Sequence, residues 1–256
     1  MQLELNIEEK QLSAKKSKHN EVILLTSRDY EIISFVCEMK FASIEDIYEK
    51  FFKTLRDGSE SKSMWWARER ITEIYKRGYI NRIYSFNERK AYYLGTKKGY
   101  YELIKSYPTV IPTRPVESIN FNTFEHDKLL LSLRLKMEKQ NECSKWISDR
   151  TLSQFPELCP SIDKSYLPDA IYTTPTGEKV AFELEISRKA KKRYHEKIQS
   201  YVKCLRLNKD SLSIFKKVIF IVTQESVRDL LDNEIKLYKQ YFDVRFDNSI
   251  LSNQGV

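Results

Sequence analysis

The chain has no run of 18 consecutive apolar residues, so no membrane-spanning helix and no membrane insertion are expected. Cysteine is sparse: Cys37, Cys143, Cys159 and Cys204 stand far apart and form no Cys-x-x-Cys pair. That argues against a zinc site and fits free thiols in a reducing compartment. Histidine is sparser still, with only His19, His126 and His195, none at metal-ligand spacing from another. The first residues, MQLELNIEEKQLSAKKSKHN, are polar and mixed in charge. They lack the apolar stretch of a secretory signal, so a cytoplasmic location is expected. No internal repeat is visible, and no low-complexity segment beyond short lysine clusters.

What the chain does carry is positive charge, a net +8 over 256 residues. Such a surplus suits a polyanionic partner, most simply nucleic acid. Lysine-rich usage by the host gives the same surplus, so the placement of the charges matters more than their sum. An apolar content of 41% supports real cores in one large domain or two small ones.

The sequence divides into residues 22–106, a connector over 107–123 and a second domain over 124–256. The connector, YPTVIPTRPVESINFNT, holds Pro108, Pro112 and Pro115, a density that blocks helix and discourages sheet. In the first domain, Thr26 or Ser27 caps a helix with Ile32, Ile33, Phe35, Val36 and Met39 on its buried side. Ser43 caps a second helix, with Ile44, Ile47, Tyr48 and Phe51 at helical spacing. The segment SKSMWWARERITEIYKRGYI predicts a third, with Trp66, Ile71, Ile74 and Tyr75 along its apolar stripe. Trp65 and Trp66 read as core and interface packing rather than as base-stacking groups. Gly78 suits a left-handed C-cap. Residues 80–86 and 91–94 flank a polar turn and predict a hairpin, after which Thr96 caps a last helix.

Three helices and a hairpin resemble a winged helix-turn-helix domain. "RxRITEIYKRGYINRI" is similar to a recognition helix with its exit and first wing strand, and "YYLGTKKG" to the second wing strand passing into the closing helix. The resemblance implies that the third helix enters the major groove of double-stranded DNA. Lys62, Ser63, Arg68, Glu69 and Thr72 would face it from that helix, and Arg89 and Lys90 from the wing tip. A solvated basic face, or a winged helix used for protein docking, is the alternative.

The second domain reads α-β-β-β-α-β-α-β. It opens on a Thr123-capped helix with Leu129, Leu130, Leu133 and Met137 on its buried side, and KWISDRTL follows as a strand. The informative stretch is PDAIYTTPTGEKVAFELEIS, in which Asp169 precedes Glu183 by 14 residues and Glu185 follows two later. In KVAFELEIS successive side chains alternate in face, so Glu183 and Glu185 share one. Pro175-Thr176-Gly177 fits a three-residue loop with Gly177 in the left-handed position. That register pairs Thr174 with Glu178 and sets Asp169 opposite Glu183, on the same face. Three clustered carboxylates repel one another, and a divalent cation removes the conflict. Oxygen ligands suit Mg²⁺ or Mn²⁺ rather than zinc. The alternative is a solvent-facing strand neutralised by Arg188, Lys189, Lys191, Lys192 and Arg193. Downstream, RKAKKRYHEKIQSYVKCLRL predicts a helix with Tyr194, Ile198, Tyr201, Val202 and Leu205 on one stripe, where both tyrosines read as core. FKKVIFIVTQ predicts a strand covered on both faces.

The element order with "PD" on the second strand and an acidic pair on the third resembles the restriction-endonuclease-like PD-(D/E)xK fold. The chain would then be an α/β protein, α+β overall, whose nuclease-like domain is built on a central mixed sheet. The resemblance makes Asp169 and Glu183 the metal-binding acids. It leaves Glu185 where lysine is usual, although some endonucleases of this fold carry Glu there. Lys189 is the candidate for the displaced ammonium. Glu125 or Asp127 matches an acid that many members hold on the first helix. His126 could touch the site from the same helix, although a histidine so placed is more often a satisfied structural residue. With "FEHDxLLLSLRL", "PDA" and "ELEISRKAKKRYxxKIxxY" added, the chain resembles the replication-relaxation group, in particular the MobC-type relaxases of mobilisable plasmids.

That likeness implies metal-dependent nicking, or strand separation, at an origin of transfer. The implied partners are double-stranded DNA, single-stranded DNA, an accessory mobilisation protein and a coupling ATPase; a homodimer is one possible assembly, and the sequence does not fix the oligomeric state. The run from Arg188 to Arg193 would bind flanking phosphates. The scarcity of histidine disfavours the rival relaxase design, which pairs a histidine cluster with a tyrosine nucleophile. A non-catalytic DNA-binding regulator and a restriction or defence endonuclease remain the alternative expectations.

Overall fold

The computed structural model describes residues 24–55, 57–85, 89–107, 112–206 and 214–249. Reciprocal caps start the first two helices. In α1 (Ser27–Glu38), the Thr26 hydroxyl accepts the Asp29 amide and the Asp29 carboxylate accepts the Thr26 amide. In α2 (Ile44–Phe51), Ser43 and Asp46 repeat the arrangement. Each box satisfies amides that the first turn leaves without partners. α3 (Trp65–Lys76) turns Ala67, Ile71 and Ile74 inward. It does not begin at residue 62: Lys62 and Ser63 lie ahead of it, and the Ser63 hydroxyl accepts the Trp65 amide at 3.2 Å. The chain leaves α3 through Gly78 at φ +74°.

β2 (Ile80–Tyr84) and β3 (Ala91–Gly95) form the expected hairpin, and the short β1 (Ala42–Ser43) adds to the free edge of β3. Phe86 of the expected first strand, Asn87 and Glu88 of the expected turn, and residues 108–111 of the connector lie outside the described residues. Thr96 caps α4 (Lys97–Ser106), accepting the Gly99 amide at 3.0 Å. Residues 112–116 form neither helix nor strand.

Beyond the connector come α5 (Phe124–Lys139), β4 (Lys145–Ser148), α6 (Asp149–Gln154), β5 (Ala170–Thr173), β6 (Lys179–Glu185), α7 (Lys191–Arg206), β7 (Lys217–Val222), α8 (Glu225–Glu234) and β8 (Phe242–Phe246). The five strands form one mixed sheet in the order β4-β5-β6-β7-β8. β4, β5 and β6 pair antiparallel, while β6, β7 and β8 pair parallel. The parallel pairs need crossovers, which α7 and α8 supply. Two local details differ from expectation. DRTL leaves the strand for α6, because the Ser148 hydroxyl accepts the Thr151 amide. Thr123 makes no side-chain cap for α5; its hydroxyl donates to Asp127 instead, at 2.8 Å.

The sheet packs on both faces. Val180, Phe182 and Leu184 of β6 join Leu129, Leu130 and Leu133 of α5 in one core. Ala181 faces the other way, among Tyr194, Ile198 and Tyr201 of α7. The α5-side core continues into Ile32, Ile33, Val36 and Ile71, so the apolar interiors on the two sides of the connector meet. Ion pairs reinforce the junction. Buried Arg134 bridges Glu38 at 2.7 Å and Glu138 at 2.9 Å, and Lys50 reaches Glu138 from α2. Cys37, Cys143, Cys159 and Cys204 are all buried free thiols. Among the described residues, no helix is long and apolar enough to cross a membrane.

Candidate functional site

The hairpin between β5 and β6 closes on the loop its sequence specifies. The Thr174 amide donates to Glu178 at 2.8 Å and the Gly177 amide to Thr174 at 3.0 Å. Gly177 sits at φ +85°. Thr173 lies opposite Lys179 and Ala170 opposite Phe182, and one step further the same register sets Asp169 across from Glu183. Asp169, Glu183 and Glu185 therefore share the α7 side of the sheet. Asp169 stands just ahead of β5 and ties that end of the hairpin, its carboxylate accepting the Leu184 amide at 2.8 Å.

The three acids do not have equal surroundings. Glu183 is fully buried, with Lys197 donating to one oxygen at 2.5 Å and the Tyr201 hydroxyl to the other. Both donors come from α7, one turn apart. Glu185 is also buried. Lys189 donates to its Oε1 at 3.0 Å and lies 2.7 Å from its Oε2, which accepts no well-aligned hydrogen bond. Lys197 stands 3.9 Å from Glu185, so one buried ammonium serves two carboxylates.

Burial raises the Glu183 carboxyl. Lys197 opposes that, Asp169 and Glu185 add to it, and the group settles at about 8. Burial alone would lower Lys197, but Glu183, Asp169 and Glu185 outweigh it and raise the amine. Lys197 thus keeps its charge, and Glu183 takes up a proton far more readily than an ordinary carboxyl. Tyr201, raised well above its ordinary value by burial and Glu183, stays a donor.

On the far side of Asp169, His126 projects from the first turn of α5. Its Nε2 lies 3.3 Å from Asp169 Oδ2 and 3.2 Å from the Leu184 carbonyl, and its Nδ1 is 3.5 Å from Asp127. Burial would lower this imidazole, but the hydrogen bonds with Asp127 and Asp169 prevail and push it up to about 10. Against its own burial, Asp169 is held well below the usual carboxylate range by His126, by Lys197 and by the Leu184 amide.

Asp169 and Glu185 open into a pocket of about 350 Å³ whose wall also includes His126, Asp127, Asp149 and Lys189. Lys40 completes it from the other side of the connector. Its backbone sits at φ 72° after α1, and its amine lies 2.6 Å from Asp127 and 3.9 Å from Asp149. Burial raises the Asp149 carboxyl; Lys40 opposes this, and Asp169 and Asp127 add to it.

Sharing a face does not make the three hairpin acids one ligand set. Glu183 does not line the pocket, because Lys197 and Tyr201 hold it against α7. Among the described residues, no three His, Cys, Asp or Glu side chains form a metal-holding group. The donors do fit a smaller requirement. Mg²⁺ is commonly held by one or two carboxylates, with water and substrate phosphate completing its shell. Asp169 and Glu185 meet that need, and Oε2 of Glu185 is a buried oxygen whose only close cation is Lys189, at 2.7 Å and without a well-aligned hydrogen bond.

The basic residues proposed for DNA spread over several elements. Arg188, Lys191, Lys192 and Arg193 are exposed where β6 passes into α7, with Lys191 3.4 Å from Glu234 and Lys192 3.8 Å from Glu196. On α3, Arg68 and Glu69 are exposed and Thr72 is half-buried. Arg89 is exposed, while Lys90 pairs with Glu45 at 2.9 Å. Trp65 and Trp66 are not core: they are 54% and 68% exposed, because the inward stripe of α3 runs through Ala67, Ile71 and Ile74. Glu125 on α5 is exposed and does not line the pocket.

Lys197, Tyr201, Lys40 and Asp149 are additions that the sequence reading missed. Lys197 left a readable sign, a lysine set among Tyr194, Ile198 and Tyr201 on the buried stripe of a helix. An ammonium so placed needs an acid opposite. Lys40 and Asp149 left none, because they meet the site only through packing across the connector.

The chain matches no family model, no curated protein and no solved structure. The likeness to the replication-relaxation group therefore rests on the quoted motifs.

Proposed function

We propose that this chain is a DNA-binding, metal-dependent nuclease that nicks DNA, and that its target is the origin of transfer of a mobile element. The observation that carries the reading is the pairing of Asp169 with Glu185 in one pocket, with Lys189 and Lys40 on its wall. The helices and hairpin before the connector support a winged helix. The order of α5 and strands β4 to β8 supports a PD-(D/E)xK domain, and the motifs support the relaxase group. Asp169 and Glu185 would hold Mg²⁺ or Mn²⁺. Bound there, the ion would polarise the scissile phosphate and lower the pKa of an attacking water.

The chain's own groups have separable tasks. Lys189 and Lys40 supply charge at the pocket wall, where phosphate oxygens need it. Lys197 and Tyr201 fix Glu183 behind the pocket and limit the repulsion among the acids. His126 orients Asp169 and, as a cation, holds it ionised. Arg188, Lys191, Lys192 and Arg193 would contact flanking phosphates, which makes binding salt-dependent.

One observation favours a second reading. Each of the three acids already has a protein partner, and Glu185 takes the slot where this fold usually has lysine. A regulator with an inert nuclease-like domain would look the same. Supercoiled plasmid carrying the DNA that flanks the chain's coding sequence separates the readings. Open circles that need Mg²⁺ and disappear in Asp169→Asn support nicking. Linear product supports a restriction-type enzyme. Binding without cleavage, unchanged in Asp169→Asn, supports the regulator and sinks the nuclease proposal.

A further inference from the structure

We infer that the Trp65–Trp66 pair at the start of α3 is a stacking site for unpaired nucleic-acid bases; the inference rests on the DNA-binding part of the reading above, not on cleavage. The two indoles are adjacent, edge to face, with ring centres 4.4 Å apart and an interplanar angle of 75°. Both stand off the buried stripe of their helix. Leaving two large apolar rings in water forgoes burial that a core position would give.

Their approach is held in place. The Ser63 hydroxyl accepts the Trp65 amide at 3.2 Å, and the Ser61 hydroxyl donates to the Ser63 carbonyl at 3.1 Å. These bonds order the backbone that carries the pair, so less of the chain has to be ordered when a partner binds.

The surroundings suit a polyanion. Trp66 borders a surface hollow that also contains Arg28, Phe52 and Arg70. Arg28 lies over the Phe52 ring at 4.9 Å, and Arg70 is bound to Asp29. Lys62 and Arg68 are exposed within a turn of the indoles, with Glu69 the acid among them.

The indole ring decides which form of nucleic acid. Its one N–H donates and nothing on it accepts, so it reads base edges poorly. Its faces are large, and base faces are free only where bases are unstacked. Stacking on aromatic side chains contributes about 1–3 kcal/mol per base and tolerates any sequence. A single-stranded or melted stretch beside a duplex is the occupant that fits.

The test is done in EDTA, so that cleavage plays no part. A fluorescein-labelled short oligothymidylate is titrated with the full chain while its anisotropy gives the affinity of every variant, and tryptophan emission is followed in the wild type. Trp146, the third tryptophan, is buried against Phe182 and serves as the background. The expected result is quenching in the wild type and at least about tenfold weaker binding by Trp65→Ala/Trp66→Ala. Duplex affinity should change less, and Trp65→Phe/Trp66→Phe should restore most of the loss. Unchanged oligothymidylate affinity in the double alanine variant overturns the inference. So does a variant that keeps its DNA affinity but shifts from dimer to monomer in sedimentation, since the patch would then join two copies. If the wild type binds neither duplex nor single strand, this inference and the DNA-binding reading fall together. If it nicks plasmid but the indoles prove silent, only the stacking site falls.

Discussion

Lys197→Met is the most informative single perturbation of the buried network. The ammonium lies 2.5 Å from Glu183 and 3.9 Å from Glu185. Removing one partner of a buried ion pair costs about 3–5 kcal/mol when the other charge has nowhere to go. Here Glu183 has an escape, because its carboxyl already sits at about 8 and can stay protonated while donating or accepting with Tyr201. The penalty should therefore depend on pH, about 3 kcal/mol or more at pH 9 and about 1–2 kcal/mol at pH 6, where Glu183 is neutral. Urea unfolding in metal-free buffer measures both, with circular dichroism and tryptophan emission required to give coincident transitions. Glu183→Gln should absorb much of the loss, so the double variant should be more stable than the sum of the singles by at least about 1 kcal/mol. Additive losses, or a penalty independent of pH, would refute the claim that Lys197 exists to hold Glu183.

Other expectations follow from the same contacts. The folded-state value of Glu183 lies above its ordinary 4.5, so the folded chain binds the extra proton. Stability from this group is full below pH 4.5 and lost as pH rises through about 8, a loss of at most about 5 kcal/mol that Glu183→Gln should flatten in a pH series of melts. His126 has the same sign over a higher window, full below pH 6.5 and lost through about 10, and His126→Gln should remove the alkaline part of the decline. Gly177→Ala should cost about 1–2 kcal/mol from backbone strain alone, since a β-carbon there meets nothing within 4 Å. Arg134→Met should cost about 3–5 kcal/mol, because it leaves Glu38 and Glu138 without the guanidinium that joins the two sides of the connector.

Much of the fold was legible because it is local. Thr26, Ser43 and Thr96 each announce a helix start, and each caps one. The loop Pro175-Thr176-Gly177 determines the hairpin register, and with it the face that Asp169, Glu183 and Glu185 share. What the register cannot tell is which acid reaches the pocket. That depends on Lys197 and Tyr201, whose α7 packs against β6 from a later stretch of chain, and on Lys40, which arrives across the connector. The tryptophans misled for a related reason. Size alone suggests a core role, but only the phase of Ala67, Ile71 and Ile74 decides which side of α3 is inside.

The central claim is that Asp169 and Glu185, and not Glu183, hold a divalent ion. Mn²⁺ binding, followed by electron paramagnetic resonance of the free ion during titration, tests it without any need for a DNA substrate. The expected result is a saturable site in the wild type that is lost in Asp169→Asn and Glu185→Gln and kept in Glu183→Gln. Equal binding by Asp169→Asn and the wild type, with both folded, would contradict it.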